Sequence, residues 1–391
     1  MRKLLFIAVL VPILIGLGWW YFRERALPDY GPAYREYAYV TNGKSNTVSV
    51  IDLRTFALAK TIPVGSEPTG IAANGKKNEI YMVNTGSNNV SVIDAESNTV
   101  VATIGVHGRP YSIDVSADGK RAYVANSGSA NVSVIDLDKR LVIANVRVGA
   151  APGLARISPD NSTVVVSNRG DNTVSLIDAR MLRVRATLPV CRQPEAIAIL
   201  PDSSKAFVSC SGSSQVASIA LETGPQKKDR VLALLDVGRT PVSLALKPDG
   251  GEMIVCNFDS DSISIIETYN DEVGSSQEIG QHPSRGVVTL DNSRLYVTNF
   301  GSNSVAVYDI DMGRRLATLT VGSHPDDIAL TPDQNYLLVL DTQSGDVTVI
   351  QKRAARKLEP TEYSLLTLIP VGMQPNAIVV KAFMQSKPVK K

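Results

Sequence analysis

The string YVTNGKSNTVSVID at residues 39–52 returns as YMVNTGSNNVSVID at 81–94, YVANSGSANVSVID at 123–136 and YVTNFGSNSVAVYD at 296–309. Weaker copies begin near Thr163, Ala206, Met253 and Tyr336, which makes eight. The residue that closes the first half of each copy is Asn42, Asn84, Asn126, Asn168, Cys210, Asn257, Asn299 or Asp341, at a spacing of 42 residues apart from one step of 47. A period this regular means an array of equal supersecondary units, and no other feature of the chain constrains its fold as strongly.

A second marker keeps the same time. Val64-Gly65, Val148-Gly149, Val237-Gly238, Ile279-Gly280, Val321-Gly322 and Val371-Gly372 each precede a proline, and Val106 to Gly108 and Val190-Cys191 stand in the same place. Each period holds four short runs of β-branched and small apolar residues, at 71–73, 81–84, 90–93 and 100–104 in the second. The breaks are turn chemistry, such as Asn74-Gly75 and Gly86-Ser87-Asn88. Valine and isoleucine alternate with serine and threonine in VSVID, which is the period of a strand. Four antiparallel strands in about 40 residues make a β-propeller blade. The expected fold is therefore all-β, a ring of eight four-stranded blades, with seven as the alternative count. A lone last strand at 377–382 supplies the inner strand that the first blade lacks, so pairing the two chain ends closes the ring.

These strings resemble the YVTN-repeat β-propellers over about residues 37–382. WD40 blades are set aside because the two tryptophans, Trp19 and Trp20, precede the array. Proteins of similar type include surface-layer and periplasmic propellers, with a more distant likeness to the haem-d1-binding propeller of nitrite reductase. The resemblance implies the fold and leaves function open.

Residues 4–22 are an apolar run behind Arg2 and Lys3, long enough at helical rise to cross a bilayer. Trp19, Trp20, Tyr21 and Phe22 read as an interfacial belt, and no small-residue cleavage site follows. Residues 1–22 are read as a transmembrane signal anchor, 23–36 as a tether, 37–383 as the propeller and 384–391 as a basic tail. The propeller then lies in a periplasm or outside the cell; secretion after cleavage is the alternative. Insertions at 221–230 and 351–363 fall on the lower outer rim.

With 40 basic against 38 acidic residues the chain has no basic stripe, which argues against nucleic acid. Positions that agree from repeat to repeat are scaffold, and departures are where function can be written. Departures on one face, called the top, are His107, Arg109, Arg169, Arg192, Glu195, Arg239, His282, Arg285, His324, Asp326 and Asp327. His282 and His324 are in adjacent blades, in reach of a shared metal, haem or anion; local backbone bonding is the plainer reading. The arginines suit carboxylate or phosphate groups, or are solvated rim charges. The Asp ending VSVID recurs in five blades, so it caps a turn rather than performing catalysis. Cys191 and Cys210 lie on neighbouring antiparallel stretches and form either a disulfide or two buried thiols. Motifs for covalent haem, serine hydrolases and zinc peptidases are missing. The expectation is a non-catalytic, membrane-tethered, monomeric binding scaffold without cofactor, taking a protein, peptide or cell-envelope ligand. The alternative is an enzyme or redox-cofactor-associated propeller.

Overall fold

Each YVTN-type run is buried on both faces: Tyr81 to Asn84 and Val90 to Ile93 have no exposed residue. That pattern suits a strand sandwiched between two neighbouring sheets, where apolar residues on either side meet a partner. The computed structural model describes residues 31–221, 228–353 and 362–386. Two compact units divide the chain, Glu36–Ala382 and the two ends Met1–Arg35 with Phe383–Lys391. In the end unit, the Gln385 amide donates to the Ala33 carbonyl at 2.8 Å. The expected anchor at 1–22 lies outside the described residues, as do most of the tether, the tail and both insertions. Among the described residues no helix is long and apolar enough to cross a membrane.

The large unit holds eight four-stranded antiparallel sheets. Blade 2 is typical, with strands Pro68–Ala73, Glu79–Asn84, Asn89–Asp94 and Thr99–Gly105 from the inside outwards. Blade 1 takes its second to fourth strands from Tyr34–Asn42, Thr47–Asp52 and Ala57–Pro63, and its innermost from Pro375–Met384 at the other end of the chain. The count of eight and this closure agree with the sequence. Chain ends meet through the Gly43 amide on the Gln374 carbonyl at 2.9 Å and the Gly372 amide on Asn42 Oδ1 at 3.0 Å.

Blades cohere through apolar faces. One cluster joins Tyr81, Val83, Val90 and Val92 of blade 2 to Ile113, Ala122, Val124 and Leu137 of blade 3. Ala38, Val40 and Ile51 of blade 1 pack likewise on Leu338, Leu340, Val347 and Val349 of blade 8. Each valine, leucine and isoleucine among them contributes about 1.5–3 kcal/mol by leaving water. Polar latches join neighbouring blades below, where Arg121 donates to the Ala179 carbonyl at 2.6 Å and Lys205 to the Thr268 carbonyl at 2.7 Å. Every outermost strand carries a bulge against the third, as between Val92 and Ile93 or Val349 and Ile350. Bulges twist a free sheet edge away from other edges, the hazard that eight exposed outer strands create.

The two sequence markers meet in space. A Cβ built on Gly65 would stand 2.7 Å from Asn84 Cβ, and one on Gly238 2.6 Å from Asn257 Cβ. In these blades glycine lets the connecting loop lie on the asparagine, while blade 3 has His107 in that place. That asparagine uses its amide across the sheet: Asn84 Nδ2 donates to Asn89 Oδ1 at 2.7 Å and to Ser91 Oγ at 2.9 Å. In blade 5 both partners change together, and a disulfide Cys191–Cys210 with Cα atoms 5.6 Å apart replaces the glycine-on-asparagine contact. In blade 8 the asparagine becomes Asp341. The VSVID aspartates cap turns: Asp94 Oδ1 accepts the Glu96 amide at 2.8 Å, and Asp178 Oδ1 the Met181 amide at 2.8 Å.

Candidate ligand-binding face

Connections between blades and turns between second and third strands share the top face, where backbone bonds knit them. In blade 7 the Phe300 amide donates to the His282 carbonyl at 2.9 Å and the Gly301 amide to the Gln281 carbonyl at 3.1 Å. The residue before each proline is left-handed: Glu67, Arg109, Ala151, Gln193, Thr240, His282, His324 and Gln374 have φ between 47° and 55°. Its amide is taken by the previous blade, as in Arg109 on Asn88 Oδ1 at 2.7 Å, His282 on Asp261 Oδ1 at 2.9 Å and His324 on Asn303 Oδ1 at 2.9 Å. The backbone is thus fixed, and what varies around the ring is the side chains it displays.

His107 stands where other blades have glycine, with Nδ1 2.9 Å from Asn131 Nδ2. His282 and His324 each lie on a phenylalanine: His282 stacks on Phe258, centroids 4.6 Å apart and planes at 12°, while His324 meets Phe300 at 4.4 Å and 42°. Phe258 and Phe300 touch at 6.0 Å, so four rings run continuously across blades 6 to 8. Among the described residues no three His, Cys, Asp or Glu gather to hold a metal.

Arg169 sits over the Tyr111 ring at 4.4 Å, and its Nη1 is 3.7 Å from Glu195 Oε1. Arg109 and Arg192 are exposed, and Arg239 donates to the Asp259 carbonyl at 2.7 Å. Arg285, Asp326 and Asp327 belong to inner strands rather than to the loops. Arg285 Nε donates to Asp327 Oδ1 at 3.1 Å, and Asp327 raises the guanidinium pKa above its ordinary value. Asp327 Oδ2 accepts the Ile378 amide at 3.1 Å, stitching blade 8 to the closing strand. Asp114 does the same between blades 3 and 4 by accepting the Ile157 amide at 3.0 Å. Burial, then the Asp327 charge, push the Asp326 carboxyl above the usual carboxylate range. Buried Cys256, in the same wall, is pushed up to about 12 by burial.

Sequence reading missed Phe258, Phe300 and Tyr111. A signal was present: the residue after the ruler asparagine is Gly43, Thr85, Ser127, Ser211 or Thr342 in five blades, Arg169 in one and phenylalanine in two.

The chain matches the family model described as YNCE-like beta-propeller over residues 19–156 and 146–316. Residues 275–371 match that of the lactonase 7-bladed beta-propeller, although this ring has eight blades. No curated protein matches the chain by sequence. Among solved structures, the dihydro-heme d1 dehydrogenase NirN in complex with DHE is similar with a TM-score of 0.70 at 15% identity, over 88% of this chain and 74% of that one. Hydrazine synthase of Kuenenia stuttgartiensis gives 0.56 at 22% identity, over 69% and 91% of the two chains. A functionally unknown protein from Desulfotomaculum acetoxidans gives 0.59 at 14% identity, over 88% and 98%. At such identities the likeness is one of fold.

Proposed function

Because the chain belongs to the YNCE-like β-propeller family, whose ring displays loops on a rigid frame, we propose that it is a non-catalytic binding module. Its top face holds a protein, peptide or cell-envelope ligand, and the apolar run at 4–22 tethers it outside the cytoplasm. One observation carries this reading. Several side chains that break the repeat are spent on neighbours, as His282 on Phe258, His324 on Phe300 and Arg285 on Asp327. Such pairs present a shaped surface; a catalytic site needs a nucleophile or base with a pKa matched to its task. The Cys191–Cys210 disulfide supports an oxidising compartment.

The second reading, an enzyme or redox-cofactor-associated propeller, is favoured by the lactonase match, since 275–371 includes His282, Arg285, His324, Asp326 and Asp327. A native mass spectrum of the full chain, gently extracted from the membranes of its own cell, separates the two. The binding module gives the bare chain or a complex with a polypeptide or envelope fragment. A stoichiometric chromophore or metal overturns it.

A further inference from the structure

The four rings on blades 6 to 8 have no counterpart among the other described residues of the ring, so the scaffold does not require them. Phe258, Phe300 and His324 are half-buried and His282 is exposed, although each projects from a loop that other blades build with small or polar residues. Partly solvated aromatic surface that the blade scaffold does not need is a feature of binding sites.

The shape of this surface narrows the ligand. Phe258 and Phe300 are inclined at 51° and His324 is inclined at 42° to Phe300, so the rings form ridges and furrows rather than a flat platform. Furrows between tilted aromatic rings accept the pyrrolidine rings of an extended, proline-containing segment. The 6.0 Å between the two phenylalanine centroids equals the advance of about two residues of such a helix, at roughly 3.1 Å each. Its backbone carbonyls have no internal partners and want donors. Here the imidazole of exposed His282 brings one ring N–H, and exposed Gln343, whose Oε1 accepts from Ser323 Oγ at 2.9 Å, carries an amide NH2.

Charge fixes the rest. Asp259 follows Phe258, Asp261 Oδ1 accepts the His282 amide and Asp326 lies two residues past His324; together with Asp327 these four carboxyls outnumber Arg239 and Arg285, the latter paired with Asp327. The local field is acidic and suits a cationic partner. We propose that the ring cluster Phe258, His282, Phe300 and His324 is a docking site for a basic, proline-containing extended peptide segment of a partner protein. This deepens the binding-module reading and rests on it.

The test measures binding of synthetic peptides to the full chain in detergent micelles by fluorescence anisotropy. Probes are acetylated and amidated Lys-Pro-Pro-Ala-Pro-Pro-Lys, its Glu-for-Lys counterpart and its Ala-for-Pro counterpart, with chitohexaose as the saccharide. The basic proline peptide should bind at least about tenfold more tightly than either counterpart. Phe258→Ser combined with Phe300→Ser, a residue that two other blades use there, should cost roughly tenfold or more. Asp259→Asn combined with Asp326→Asn, which keeps every ring, should erase the preference over the acidic peptide. Equal affinity for the three peptides, or a double-serine variant that is folded by circular dichroism and binds unchanged, overturns the proposal. Chitohexaose binding that is lost in the double-serine variant overturns the peptide class while the binding-module reading stands. A tightly held chromophore or metal in the native mass spectrum removes both.

Discussion

Replacing Asp341 by asparagine should stabilise the protein, and more so as pH rises. Asp341 occupies the ruler position, fully buried, with Gly322 packed so closely that a Cβ there would stand 2.6 Å from its Cγ. Thr348 Oγ1 donates to its Oδ2 at 2.6 Å, while Oδ1, like the Oδ1 of Asn84 and Asn126 at the same place, is a buried oxygen without a hydrogen-bond partner. Burial, and then the Asp346 carboxylate beside it, hold its carboxyl well above the usual carboxylate range. The folded state therefore keeps a proton that the unfolded chain releases near pH 4. The corresponding stability is fully present below that value and is lost as pH climbs towards the folded-state pKa. In Asp341→Asn the amide would donate to Thr348 Oγ1 and Asp346, as Asn84 Nδ2 does to Ser91 and Asn89. Removing an unpaired buried charge and restoring such bonds is worth about 2–3 kcal/mol. At roughly 2 °C per kcal/mol for a large domain, Tm should rise by about 4–6 °C at pH 8.5 and by under about 1 °C at pH 4. Scanning calorimetry of both proteins at several pH values measures the difference. A shift independent of pH, or a variant that is less stable at high pH, would refute the reasoning.

Two further changes probe the same contact. Gly149→Ala places a Cβ 2.7 Å from Asn168 Cγ and should cost about 2 kcal/mol, while Gly75→Ala, with nothing within 4 Å, should change the urea midpoint by less than about 0.5 kcal/mol equivalent. Reducing Cys191–Cys210, which closes a separation of 19 residues, should cost about 3 kcal/mol; Cys191→Gly with Cys210→Asn should recover part of that loss in the same melt, because it rebuilds the pair used by five other blades.

The ring was legible in the sequence because one unit is written eight times and each copy repeats the same turns. Val64-Gly65 and Asn84 were both visible as markers, yet that they touch emerges only once a connecting loop folds over the blade it enters. Side-chain partnerships between blades were not legible. His282 stacks on Phe258 and Arg169 on Tyr111, pairs 24 and 58 residues apart whose meeting depends on loop direction. Arg285 and Asp327 read as loop residues because the proline marker adjoins them, whereas the inner strands begin at that proline. Asp341 was visible as a departure from asparagine, but not its buried Oδ1 or the pressure of Asp346.

The central claim is that this ring works through its top face, and photo-crosslinking in the source cell tests it most directly. Benzoylphenylalanine would be placed at Gln281 and Gln343 on top and at Ala117 and Leu290, which are exposed on the lower turns. The account predicts a discrete adduct from the two upper positions and bare chain from the two lower ones. Adducts from Ala117 or Leu290 with none from Gln281 and Gln343 would contradict it.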